Sequence, residues 1–141
     1  EQRGWRDLPR IEVDELGKPF FPDHPDIHFS LSHTAGAAAA ALADTPVGVD
    51  IERVRPVSVR AMERIAGVRT EAAFFRSWVR REARVKRTGS GIVTMMRTEA
   101  PLNRGEFYYE VDAFHGYAAG VAAGQPEPPQ PVHRLMLDQL L

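Results

Sequence analysis

The stretch from Thr70 to Gly91 constrains the fold most. Phe75, Trp78, Val79 and Ala83 recur at helical spacing. Thr70 can cap the start, with Glu71 in the first turn. Thr88-Gly89-Ser90-Gly91 supplies the stop. This spacing predicts a long helix over 70–87 that buries the face carrying Trp78 and Val79. A shorter helix is expected over Val59–Ala66.

The rest of the chain reads mainly as strands. Phe29 and Leu31 alternate with Ser30 and Ser32 in Ile27–His33, the period of a half-buried strand. Thr34-Ala35-Gly36 is a plausible turn. Ala37–Leu42 has the local propensity of a helix, because alanine is the best helix former. It is read here as a short strand returning from that turn, with a helix as the alternative. In Pro46–Glu52, Val47, Val49 and Ile51 share one face; Gly48, Asp50 and Glu52 share the other. Two more strands, Glu106–Val111 and Tyr117–Ala122, flank a turn at His115-Gly116. Gly17–Asp26 is turn-rich, Gln125–Pro131 is proline-rich and expected to be extended, and Leu135–Leu141 is a candidate amphipathic segment.

At 141 residues the chain is long enough for one domain with a core. A net charge of -1 gives no global reason to expect nucleic acid or an anionic membrane. The absence of cysteine rules out disulfides and thiolate metal sites. No apolar run is long enough to span a bilayer, and Glu1–Arg10 is too polar for a signal peptide. These features fit a cytoplasmic protein.

Three constellations could carry chemistry. Asp50 and Glu52, two apart on a strand, project to one side roughly 7 Å apart and repel unless neutralised. Mg²⁺ prefers such carboxylate oxygens together with water and phosphate oxygen. Two solvent-facing acids on an edge strand fit the same spacing. Glu82 and Lys86 lie on or beside the helix face that Trp78 and Val79 should bury. Such a charge needs a counter-ion, metal or ligand, though an i,i+4 pair at the stripe's edge also accounts for it. Ser32-His33 at a strand end could bind phosphate. Arg76, Arg80, Arg81, Arg84 and Arg87 read as a solvated helix face, not a nucleic-acid surface.

Each signal is weak alone, but their order is specific. Gly17-Lys18-Pro19, Phe29-Ser-Leu-Ser-His33, Val47-Gly-Val-Asp-Ile-Glu52, Trp78-Val-Arg-Arg-Glu-Ala-Arg-Val-Lys86 and Gly89-Ser-Gly91 follow one another along the chain. This pattern, from about Leu16 to Ala123, resembles the 4′-phosphopantetheinyl transferases of the surfactin-synthetase type.

The resemblance implies an α+β fold of two similar halves, each a small antiparallel sheet against a long helix. Residues 1–44 would be a remnant of the N-terminal half, and residues 45–141 the C-terminal half with the metal and catalytic motifs. It implies that Asp50, Glu52 and Glu82 hold Mg²⁺, and that Lys86 contacts the phosphates of coenzyme A. Lys18, Ser32 and His33 would hold its nucleotide end. Arg81 stands where many members have lysine. Arg3, Arg6 and Arg10 are candidates for the 3′-phosphate contacts that the N-terminal half supplies in two-half members. The implied reaction moves phosphopantetheine from coenzyme A to a serine of an acyl or peptidyl carrier protein, with Glu82 as the candidate base, and Asp50 and Lys86 beside it. Self-association, as in short trimeric relatives, would be one way to complete the pocket. The alternatives are a catalytically incomplete relative that only binds coenzyme A or a carrier protein, and an unrelated Mg²⁺-dependent phosphohydrolase.

Overall fold

A computed structural model describes residue 7 and residues 9–135. Arg3, Arg6 and the terminal segment beyond Leu135 lie outside the described residues. The architecture is α+β: small antiparallel sheets and one long helix. Strands β1 (Glu12–Val13) and β2 (Pro19–Phe20) pair around a tight turn. There Asp14 Oδ1 accepts from the N–H groups of Leu16 and Lys18, and Gly17 takes a positive φ of 86°. Strands β3 (His28–Thr34) and β4 (Ala37–Ala43) form a hairpin. The alanine run is therefore a strand: pairing with β3 along its length overrides local helix propensity.

Strand β5 (Gly48–Arg53) pairs with β7 (Tyr117–Ala123), which pairs with β6 (Phe107–Val111), giving the order β5-β7-β6. The helices are α1 (Val59–Ala66), α2 (Glu71–Thr88) and α3 (Ile92–Arg97). Thr70 caps α2 by accepting from the Ala73 N–H, and Gly89 ends it in the left-handed region. Helix α2 lies against β5 and β7. A Cβ on Gly48 would fall 1.9 Å from the Ala83 carbonyl oxygen, so only glycine admits the helix there. Val47, Val49, Val121 and Ala123 form a core on the opposite face of this sheet. Met62, Phe74 and Phe75 form another, where α1 and α2 meet. Among the described residues no helix is long and apolar enough to cross a membrane.

The β3–β4 hairpin joins β5 through side chains. Val49 N–H donates to Ser30 Oγ (3.0 Å), Ile51 N–H to Ser32 Oγ (3.1 Å) and Arg53 N–H to Thr34 Oγ1 (3.3 Å). The serine face of β3 is consequently the buried one. Ser30 is 3% exposed while Leu31 is 56% exposed.

The arginine-rich face of α2 departs from expectation. Arg84 is buried and donates to both carboxylate oxygens of Glu106 at 2.9 Å, and also to the carbonyls of Ala100 and Pro101. Arg80 grips Glu99, and Arg81, also buried, donates to the Met96 carbonyl (3.2 Å). These three side chains hold segment 95–106 against α2; they are not a solvated face. Bidentate guanidinium–carboxylate bonds and carbonyl acceptors make that burial tolerable. The same contacts account for α3, whose β-branched, uncapped sequence gave no helix signal.

Two predictions follow from this packing. Ser30→Ala leaves the Val49 N–H without its acceptor and should cost about 1–3 kcal/mol in urea unfolding. Burial alone would raise the Glu106 pKa, but the Arg84 bonds and the Asn103 N–H outweigh it and hold the pKa below the usual value. A depressed carboxylate pKa stabilises the fold above the unfolded-state pKa, about 4.3. That stabilisation is lost as pH falls through the folded value. The urea midpoint should therefore drop on acidification below about pH 4.3, and Glu106→Gln should flatten that part of the profile.

Candidate functional site

The site lies where β5 passes under α2. Strand alternation places Asp50 and Glu52 on the helix side of the sheet, so they are not solvent-facing acids on an edge strand. Asp50 is 3% exposed. Its Oδ1 accepts from Ser32 Oγ (2.9 Å) and from Lys86 Nζ (3.0 Å). Its Oδ2 is buried and has no hydrogen-bond partner among the described residues. Burial raises the Asp50 pKa, Lys86 and Ser32 pull it down, and Glu52 adds to the rise; the net direction is up.

Glu82 and Glu52 complete the acidic group. Burial raises the Glu82 pKa, and the charges of Asp50 and Glu52 push it further against the opposing pull of Lys86. The three acids therefore feel one another's charge. They do not stand in a single coordination sphere: among the described residues no three His, Asp or Glu side chains form a group that could hold a metal. Glu52 is engaged by Arg55 at 3.2 Å, whose guanidinium stacks on Phe75, and receives a long bond from Thr34 Oγ1.

The cations have internal partners. The Lys86 ammonium is not free: besides Asp50 it reaches the Leu31 carbonyl (3.5 Å). It therefore ties β3, β5 and α2 together. Lys18 Nζ donates to the Val47 carbonyl (3.0 Å) and the Lys86 carbonyl (2.5 Å), pinning the end of α2 to the start of β5. Burial lowers the Lys18 pKa, Asp14 opposes this, and Lys86 adds to the fall. Lys18 also lines a cleft of about 460 Å³ with His28, Phe29 and Arg87. His33 is exposed, and as Ser32's neighbour in a strand it points to the other face. Arg10 pairs with Glu12 and Asp23. Arg81, in place of a lysine, is committed to Met96.

Sequence reasoning missed Ser30 and Thr34. The i,i+2 repeat Ser30-x-Ser32-x-Thr34 was the available signal: three hydroxyls on one face of a strand whose partner edge needs acceptors.

Fold and site together define an α+β protein with a buried carboxylate–lysine pair between a small antiparallel sheet and a long helix. No family profile matches the chain. Individual relatives do. The 4′-phosphopantetheinyl transferase Sfp of Bacillus subtilis is 28% identical over a 161-residue alignment, covering 94% of this chain and 70% of the relative. The 4′-phosphopantetheinyl transferase psf-1 of Bacillus pumilus is 37% identical over 94 residues, covering 58% of this chain and 40% of the relative. The 4′-phosphopantetheinyl transferase AcpT of Salmonella typhi is 33% identical over 110 residues, covering 67% and 57%. The chain is similar to the Sfp-like 4′-phosphopantetheinyl transferases. It spans 40–70% of the length of these three relatives.

The Lys18 geometry yields a prediction. Lys18→Met strands two carbonyls and should lower unfolding stability by about 1–3 kcal/mol in urea, whether or not coenzyme A is present.

Proposed function

We propose that this chain transfers the 4′-phosphopantetheine moiety of coenzyme A to a serine of an acyl or peptidyl carrier protein and releases adenosine 3′,5′-bisphosphate. The observation that carries this reading is Asp50: a buried carboxylate with one oxygen held by Ser32 and Lys86 and the other unpartnered among the described residues, in a chain whose relatives are phosphopantetheinyl transferases.

Asp50, Glu52 and Glu82 would hold Mg²⁺. The donor chemistry suits Mg²⁺, hard carboxylate oxygens with one buried and unpartnered among the described residues, although the three acids do not stand in one coordination sphere in this structure. Three carboxylates against Lys86 and Arg55 leave one excess negative charge, which a cation would offset. Bound there, Mg²⁺ would offset charge on the pyrophosphate oxygens.

The chain's own groups do the rest. Glu82, whose pKa lies above the usual carboxylate value, is the better placed base for the serine proton. The serine oxygen bonds to the phosphorus that carries pantetheine. The bond from that phosphorus to the bridging oxygen breaks, and the bisphosphate leaves with the electron pair. Lys86, anchored on Asp50, stands beside the acids as the cation for phosphate. The nucleotide end is assigned to Lys18, Ser32 and His33; of these Lys18 lines a cleft shared with His28 and Arg87, while Ser32 and His33 lie on opposite faces of β3. Residues 1–44 are assigned to a remnant of the N-terminal half and 45–141 to the C-terminal half. The hydroxyl bonds of β3 to β5 join the two across that boundary.

The decisive experiment is incubation with coenzyme A, Mg²⁺ and an apo carrier protein, followed by weighing the carrier. A gain of one phosphopantetheine is the expected result. Binding of coenzyme A without that gain would favour a non-catalytic relative. Asp50→Asn should lower the transfer rate on the order of 10²-fold, the scale of one lost electrostatic contact at a reacting centre. Its urea midpoint should hold or rise, because the buried charge is removed.

A further inference from the structure

Tyr108, on β6, reaches the floor of the same site from the opposite edge of the sheet. In the ladder Tyr108 pairs with Ala122, Glu110 with Gly120, and Gly120 with Asp50. The Tyr108 ring leans diagonally over Gly120. A Cβ on Gly120 would fall 1.8 Å from Tyr108 Oη and 2.4 Å from its Cζ. The phenol thus occupies the space where a residue-120 side chain would stand.

That space adjoins Asp50. Directly paired residues project to the same face, with Cβ positions roughly 5 Å apart. The Tyr108 hydroxyl and the Asp50 carboxylate are therefore neighbours on the helix side of the sheet. The charge of Asp50 acts on Tyr108, together with those of Glu110, Arg80 and Glu99. Yet the two groups are not bonded, since Asp50 Oδ2 has no partner among the described residues. A buried acceptor without a partner among the described residues, beside a phenolic donor to which it is not bonded, leaves both groups able to take a third oxygen.

We propose that Tyr108 is a positioning residue whose hydroxyl hydrogen-bonds an oxygen lodged against Asp50 Oδ2, either a cation's water or a phosphate oxygen of coenzyme A. The inference rests on the transferase reading, which supplies both sources. Gly120 belongs to the device, because any side chain there displaces the phenol. The role resembles that of the outer partners which orient metal ligands.

The test is Tyr108→Phe, which removes one oxygen and keeps the ring. Calorimetric titrations with Mg²⁺ alone, and with coenzyme A in the presence of a chelator, separate the two sources. About tenfold weaker binding in one of these titrations is expected, the factor carried by one hydrogen bond to a charged group. Loss in the Mg²⁺ titration identifies a water, and loss in the coenzyme A titration identifies a phosphate oxygen. A lower urea midpoint with both affinities unchanged would mean a purely structural tyrosine and overturns the proposal. A parent protein that binds coenzyme A and modifies the carrier, while Tyr108→Phe matches it in both titrations, overturns this inference alone. A parent that binds neither ligand and modifies no carrier overturns it together with the transferase reading.

Discussion

The hydroxyl ladder from β3 to β5 is the contact on which the site depends. Strand β5 is satisfied on one edge by backbone pairing with β7 and on the other by Ser30, Ser32 and Thr34. Side-chain acceptors hold the hairpin alongside β5 without extending the sheet. They also fix register: a slip of one residue would present Phe29, Leu31 and His33 to β5 and leave its N–H groups without acceptors. Ser32 does two things at once. It accepts from Ile51 N–H and donates its single proton to Asp50 Oδ1. The bond that sets the hairpin thereby also aims the carboxylate and leaves Oδ2 facing away.

Helix α2 is held at its middle and at its last turn. Arg80, Arg81 and Arg84 tie its middle to segment 95–106, and Lys18 fastens its last turn to β5. Lys86 sits in that last turn, so the position of its ammonium follows from contacts made by other residues. Removing Asp50 and removing Lys86 are accordingly unequal changes. The first deletes a buried charge. The second leaves that charge on Asp50 with only the Ser32 hydroxyl, a larger cost in a low-dielectric setting.

Much of the fold was legible because it depends on short-range pattern. Thr70 and Gly89 bracket α2 as read, and the alternation in Pro46–Glu52 sorts β5 into its two faces. The β3–β4 hairpin was legible only as a choice, since Ala37–Leu42 favours helix locally and pairing decides otherwise. The burial of Arg81 and Arg84 was not legible: an arginine is placed by its acceptors, and these come from Glu106 and from the carbonyls of a loop far along the chain. For the same reason the motif gave Asp50, Glu52, Glu82, Lys86 and Lys18 but not their partners. Spacing places Lys86 near the acids, while only the folded arrangement shows that Asp50 holds it.

The acids stand out because of what surrounds them on the helix side of the sheet. Along β5 that side reads Gly48, Asp50, Glu52; along β7 the paired positions are Ala122, Gly120, Ala118. Four of these six positions are glycine or alanine. Close approach of α2 requires this, since at Gly48 even a methyl group would strike the helix backbone. A surface that must stay this flat admits few long side chains, and the two on these strands are carboxylates. One of them, Asp50, has a buried oxygen without a partner among the described residues. Hydrophobic packing would be served better by another alanine there, and a buried carboxylate without full pairing costs free energy. Asp50 does tie β3 and α2 to β5 through Ser32 and Lys86, but its unpartnered oxygen adds nothing to the fold, and that oxygen is what the proposed ligand chemistry accounts for.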